Sequence, residues 1–147
     1  MKSPGKGVQG WIALLVRVAV AVGFLSAVAD RFGLWGPPGA PDVAWGNFAK
    51  FTSYAGRLNP WAPVNLVPAV AWTATVAETA LGFALLVGWQ VRLAGLLGGI
   101  LLTCFAAGMT VDSSIKAPFD SSVFAAAGAA FSLVVLGAGV LSVDRGR

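Results

Sequence analysis

The sequence predicts an all-α protein, a bundle of four transmembrane helices with a long first extramembrane loop that carries a short interfacial helix. Of the 147 residues, 57% are hydrophobic and only 11% are charged, whereas an ordinary soluble domain carries about 25% charged residues. The apolar residues fall in four long blocks, and about 20 helical residues are enough to cross a bilayer. A soluble globule of this composition would lack the polar side chains to cover its surface. The whole chain is therefore expected to form one membrane domain.

The predicted transmembrane helices cover residues of about 8–29, 64–89, 91–111 and 119–143. The first block resembles a signal peptide, because lysines precede it and small residues follow it. However, Arg17 splits what should be an unbroken apolar centre, so we expect the block to stay in the protein as a span. Short connections make the second, third and fourth helices antiparallel neighbours in sequence order.

The long loop over 30–63 begins with WGPPGAPD, in which prolines and glycines forbid a helix. A short helix is predicted after it, because Phe48, Phe51, Ala55 and Leu58 recur at steps of three and four residues. Two placements of this helix are open. Its apolar face either enters the membrane interface or rests as a cap on the outer end of the bundle.

The distribution of Lys and Arg gives the expected orientation. With four spans, both termini lie on the same side as the turn between the second and third helices. That side holds Lys2, Lys6, Arg92, Arg145 and Arg147, against four basic residues on the other side. Since cytoplasmic segments collect Lys and Arg, both termini are predicted to be cytoplasmic.

Small residues indicate where the helices approach closely. Gly95 and Gly99 have GxxxG spacing, Gly82 lies near Glu78, and Ala126 belongs to a small-residue row on the fourth helix. In lipid, helices associate through the close backbone approach that such residues allow. Packing within one chain is the favoured interpretation, and a homo-oligomer is the alternative.

Arg17 and Glu78 are the charges deep within the apolar blocks. Because an unpaired charge at a helix centre costs about 2.5–3.5 kcal/mol on insertion scales, we expect them to pair directly or through water. The alternative is that Arg17 extends to the lipid headgroups by itself. Thr75, one turn before Glu78, can offer the carboxylate a hydroxyl. A Glu78 that no cation reaches would be protonated and could donate to a quinone carbonyl or relay a proton.

The composition excludes several functions. The chain has one cysteine, Cys104, and no histidine, so it cannot form an internal disulfide relay or assemble a standard haem, copper or zinc site from its side chains. It has no histidine base and no GxSxG motif for nucleophilic catalysis. The scattered basic residues form no stripe for nucleic acid. Any redox role would need a cofactor held without a metal ligand, such as a quinone, or a partner subunit.

The charged and small residues of the first two predicted helices form a pattern that resembles the DoxX family of small four-helix membrane proteins. In the first helix, Arg17, Ala21, Phe24-Leu25 and Arg31 stand where the family typically shows Arg, Gly, Phe-Leu and Lys. The segment ETALGFALLVGWQVRLAG, which contains Glu78, is similar to the family's Glu–Gly–Leu-Leu–Gly–Arg signature. Ala21 in place of Gly and the long 30–63 connection depart from the family pattern.

The resemblance implies a multi-pass protein of a bacterial-type inner (plasma) membrane, associated with a quinone or with redox and oxidative-stress enzymes. The leading hypothesis is a subunit that binds a quinone or anchors a soluble or membrane oxidoreductase, with Arg17, Glu78 and Arg92 as polar groups. By itself, the chain is not expected to be an enzyme. The alternatives are a structural membrane protein without chemistry and a small proton-coupled transporter.

Overall fold

The computed structural model describes residues 4–146, and every regular element in that range is a helix. The α-helices are α1 Pro4–Arg31, α2 Phe48–Leu58, α3 Val67–Val87, α4 Val91–Asp112, α5 Lys116–Asp120 and α6 Val123–Leu136. Short 3-10 helices cover Val64–Leu66 and Val143–Gly146. The prediction of an all-helical protein is confirmed. Lys2 and Arg147, which entered the charge comparison, lie outside the described residues.

Three helices are long and apolar enough to cross a membrane: Gly7–Arg31, Val64–Val87 and Val91–Asp112. They contain 25, 24 and 22 residues, and at 1.5 Å per residue each exceeds the about 30 Å thickness of the hydrocarbon core. Their positions agree with the first three predicted spans. The described chain is therefore suited, by helix length and composition, to a multi-pass membrane protein.

The fourth predicted span, a continuous helix over 119–143, is wrong. The structure divides it into the end of α5, a turn at Ser122 with a φ of 56°, and α6, which has 14 residues. A helix of that length rises only about 21 Å. α6 ends at Leu136 and is followed by Gly137, whose φ of 72° lies in the region that glycine tolerates. The apolar residues that continue to Val143 concealed this stop in the sequence.

The long helices pack as antiparallel neighbours. α1 packs against α3, α3 against α4, α4 against α6, and α6 again against α1. Their shared core is apolar and comprises Val20, Ala21, Phe24, Leu85, Val91, Ala94, Ala130 and Leu133. We call the end with the α3–α4 turn the turn end, and the opposite end, where α1 finishes and α2 lies, the cap end.

Glycines allow the closest helix contacts, and these contacts lie within the chain. A Cβ on Gly95 would lie 2.7 Å from the Ala130 carbonyl oxygen, and one on Gly99 would lie 2.6 Å from the Phe131 ring. On α3, a Cβ on Gly82 would lie 2.8 Å from Leu25 of α1. These three glycines therefore lie at close helix contacts within the chain. Ala126 is only half-buried, whereas its neighbours Ala127 and Ala130 are buried.

The short helix α2 is a cap on the bundle. Phe51, Ala55 and Leu58 are buried, and the helix packs against α3 and α4. Asn47 starts the helix, since its side-chain oxygen accepts the N–H of Lys50 at 2.9 Å. Of the two placements that the sequence left open, the structure has the cap, because the apolar face points into the protein.

Candidate functional site

A buried ion pair joins the cap end of α1 to the middle of α3. Arg31, the last residue of α1, pairs through Nη2 with Oε2 of Glu78, and their side chains are only 1% and 3% exposed. Arg31 Nη1 also donates to the Thr75 hydroxyl at 2.9 Å. That hydroxyl in turn donates to the Ala71 carbonyl at 2.8 Å. Because its single proton is committed to Ala71, Thr75 serves Arg31 and does not donate to Glu78 as the sequence suggested.

The predicted pairing of Arg17 with Glu78 is wrong, and the direction of helical side chains explains why. A helical side chain leans toward the N-terminus of its own helix. Since α1 and α3 are antiparallel, Arg31 at the end of α1 leans back toward the bundle centre while Glu78 leans toward the cap end. The two side chains therefore converge, whereas Arg17 and Glu78 lean apart.

Arg17 instead holds the segment that follows α6. Its side chain is buried and donates from Nη1 to the Ala138 carbonyl at 2.8 Å and from Nη2 to the Leu141 carbonyl at 2.7 Å. These carbonyls lie beyond the end of α6, so they need hydrogen-bond donors from elsewhere in the protein. Arg17 thus neither meets Glu78 nor extends to lipid headgroups. It stabilises the return of the chain across the turn end.

Asp144 completes that return, and sequence reasoning missed it. Its carboxylate accepts the N–H groups of Gln90 and Val91 at 3.0 and 2.9 Å, at the start of α4. A carboxylate at a helix N-terminus satisfies free N–H groups and is favoured by the helix dipole. Arg92 lies beside this region, exposed and close to Gly137. Arg17 and Arg92 are therefore at the turn end, away from Glu78.

Asp30 is a second residue that the sequence did not single out, and it positions the loop that lies over the ion pair. Its carboxylate accepts three backbone N–H groups, from Ala44 at 2.8 Å, Trp45 at 3.3 Å and Gly46 at 3.1 Å. Bonds of this kind to an ionised acceptor are among the stronger ones in proteins. An acid beside Arg31, just before a Pro/Gly-rich loop, was the available sequence signal.

Two aromatic rings, those of Phe51 and Trp45, lie against Arg31. The guanidinium carbon of Arg31 lies 3.7 Å from the centroid of the Phe51 ring and 5.5 Å from that of Trp45. A cation over an aromatic face is attracted by the ring, more strongly where water is excluded. Phe51 comes from α2 and Trp45 from the preceding loop, so Arg31 connects α1, α3 and the cap through one side chain.

A cavity of about 1540 Å³, partly open to its surroundings, reaches this ion pair. Its wall comes from α1, α2, α3, α4 and α6, and it includes both Arg31 and Glu78. Most of the wall is apolar, with Phe24, Leu102 and Phe105 among its residues. The volume exceeds the about 300–1,000 Å³ that is usual for small-molecule pockets.

One donor of the site has no acceptor among residues 4–146. Arg31 Nε is buried and lacks a hydrogen-bond partner, and a buried donor left unpaired costs about 1–3 kcal/mol. The other guanidinium nitrogens are used by Thr75 and Glu78. Since the ion pair is neutral as a unit, the missing partner best suits a neutral acceptor such as a carbonyl oxygen. In residues 4–146, no cluster of His, Cys, Asp and Glu is placed to hold a metal ion.

The cap-end wall of the cavity is basic. Lys50, Tyr54 and Arg57 of α2 all line it. Burial raises the pKa of the Tyr54 hydroxyl above its usual value, Asp112 raises it further, and Arg57 opposes the shift. At neutral pH the hydroxyl therefore keeps its proton and can donate a hydrogen bond.

Comparison of the chain with protein-family models, with curated proteins and with solved structures found no match. The fold and the site therefore define the class of protein by themselves. It is an all-helical protein with three helices suited to cross a membrane and a buried Arg–Glu pair in the wall of a large apolar cavity.

Proposed function

We propose that this chain is an integral membrane protein of the DoxX type that binds a quinone in the cavity and serves a membrane redox or oxidative-stress complex. The observation that carries the proposal is the buried Arg31–Glu78 ion pair, whose two residues both line a large apolar cavity. A quinone offers a neutral carbonyl acceptor for the Arg31 guanidinium and an isoprenoid tail for the apolar walls.

Exposed tryptophans support placement in a bilayer. Trp11 and Trp89 are exposed at the turn end, and Trp35, Trp61 and Trp72 are exposed at the cap end. From Trp11 to the end of α1 at Arg31 the helix rises about 30 Å, the thickness of a hydrocarbon core. Trp belongs at membrane–water interfaces. In this proposal the chain lies in a bacterial-type inner membrane, and both termini face the cytoplasm.

A partner enzyme follows from the chemistry. Reduction or oxidation of a quinone requires an electron donor or acceptor, and this sequence has one cysteine and no histidine to hold a metal centre. The chain would therefore supply the binding site, while a soluble or membrane oxidoreductase supplies the electrons.

A purely structural role is the second candidate, and one observation favours it. Arg31 contacts α3 through Thr75 and Glu78, and the cap through Phe51 and Trp45. A residue with these contacts would be retained for assembly of the cap end even if the cavity held only lipid.

Quinone extraction from two cavity variants tests the first proposal. The protein is purified in mild detergent and its quinone content is measured by mass spectrometry. Ala126→Phe places a ring at the cavity wall. We expect it to lower bound quinone about tenfold, which corresponds to about 1.4 kcal/mol of binding free energy.

Gly128→Phe is the matched control, because Gly128 lies on the same helix where an added Cβ meets nothing within 4 Å. It should keep the wild-type content. Equal quinone in both variants would place the ligand elsewhere, and a wild-type protein that carries neither quinone nor an oxidoreductase would favour the structural role.

A further inference from the structure

The cap-end rim of the cavity has an excess of positive charge. Among the described residues, the charged side chains that line the cavity are Arg31, Lys50, Arg57 and Glu78. Arg31 and Glu78 neutralise one another, so Lys50 and Arg57 remain. Asp112 pairs with Arg57 Nε at 3.2 Å and offsets part of that charge from outside the wall, whereas Lys50 makes no ion pair within residues 4–146.

The two cations lie on one face of α2. Lys50, Tyr54 and Arg57 follow one another at steps of four and three residues, which places them on one side of a helix. The Arg57 guanidinium carbon lies 5.3 Å from the centroid of the Tyr54 ring. This face is separate from the buried face of Phe51, Ala55 and Leu58. It therefore supplies two cations and a phenol donor to the cavity without disturbing the packing of the cap.

The cavity thus joins a cationic rim to apolar walls, and that combination is complementary to an anionic amphiphile. A phosphate group suits Lys and Arg donors, and acyl chains suit walls of Ala, Leu and Phe. At about 1540 Å³ the cavity has more space than a drug-sized ligand needs. In a bilayer, the nearest molecules with this chemistry are the anionic phospholipids.

We propose that the cavity holds an anionic phospholipid of the surrounding bilayer, with its phosphate headgroup at Lys50, Tyr54 and Arg57 and its acyl chains between the helices. This site goes beyond the proposed quinone function and rests only on the membrane placement that the two share. A resident phospholipid would fill the part of the cavity that a quinone leaves open and would hold α2 in place on the bundle.

Selective lipid retention tests this site on the full chain. The purified protein in neutral detergent is titrated with phosphatidylglycerol or phosphatidylcholine, and bound lipid is counted by native mass spectrometry. We expect the wild type to prefer phosphatidylglycerol. The double variant Lys50→Gln with Arg57→Gln should lose about fivefold of that preference for each cation removed.

Lys116→Gln is the matched control. Lys116 is an exposed cation that follows α4 at the cap end and pairs with Asp120, and it is not part of the cavity wall. It should leave the preference unchanged. If thermal unfolding shows that the double variant is not folded, Lys50→Gln alone still tests the site, because Lys50 has no ion pair to lose in the described part of the chain. Equal retention of the two lipids by the wild type, or an unchanged preference in the folded variant, would overturn the proposal.

Quinone content measured on the same samples separates the two proposals. The Lys50 and Arg57 substitutions keep Arg31, the donor to which the quinone carbonyl is assigned, in place. A wild type that prefers phosphatidylglycerol and carries no quinone would overturn the quinone proposal and support the lipid site. A wild type that carries quinone and shows no lipid preference would overturn the lipid site and support the quinone proposal.

Discussion

Arg17 and Arg31 are separated by about four turns of the same helix, yet they have different roles. Arg31 has a carboxylate partner, a hydroxyl and two aromatic rings. Arg17 donates instead to two backbone carbonyls. In each case both Nη atoms of a buried guanidinium find partners, as a charge removed from water needs, while Nε has none among residues 4–146. The difference follows from which end of α3 each arginine faces.

A double-mutant cycle distinguishes these roles. Arg31→Met or Glu78→Met alone should lower the free energy of unfolding by about 3–5 kcal/mol, because each leaves a buried charge without its partner. Arg31→Met with Glu78→Met together should cost much less than the sum. Unfolding by sodium dodecyl sulfate in mixed micelles measures these energies.

The matched control is the cycle of Arg17→Met with Glu78→Met. Because the structure places Arg17 at the turn end, the two effects should add within about 0.5 kcal/mol. A larger coupling for Arg17 than for Arg31 would contradict the assigned ion pair.

At the scale of elements, most helices could be predicted and some boundaries could not. Three spans and α2 follow from apolar block length and from the three- and four-residue periodicity of Phe48 to Leu58. The end of α6 was missed, because the apolar composition continues through Gly137 and Gly139, where positive φ angles turn the chain back. Composition reports the preference of residues for lipid, but not the backbone angles at which a helix stops.

The α4–α6 contact provides a test at this scale. Gly95→Ala should destabilise the protein by about 1–3 kcal/mol, because the added methyl would approach the Ala130 carbonyl to 2.7 Å. Gly128→Ala on α6 meets open space and should be neutral or stabilising by up to about 1 kcal/mol, the helix preference of alanine over glycine. Detergent unfolding measures both variants, and an equal response would show that Gly95 is not at a tight contact.

At the scale of the whole molecule, the helices divide the chain into two ends with separate networks. Arg17, Gly88 and Asp144 close the turn end, while Asp30, Arg31 and α2 close the cap end. In the proposed membrane placement, the first set lies at the cytoplasmic interface and the second at the opposite interface.

Cysteine labelling tests that arrangement. In a Cys104→Ser background, Ser53→Cys reports the cap end and Gln90→Cys reports the turn end, and both positions are exposed. An impermeant maleimide should label Ser53→Cys from outside intact cells and Gln90→Cys only after the membrane is opened. Labelling of both from one side would contradict the placement of the two ends on opposite faces of the membrane.

The sequence by itself determined the all-helical class, three helices long and apolar enough to cross a membrane, and the need of Glu78 for a partner. These properties follow from composition and from the cost of a charge in an apolar segment, which depend on residue type alone. The tertiary structure decided that the partner is Arg31, that α2 is a cap and that a cavity reaches the pair. Those outcomes depend on which antiparallel helix faces which, and on the direction in which each side chain leans.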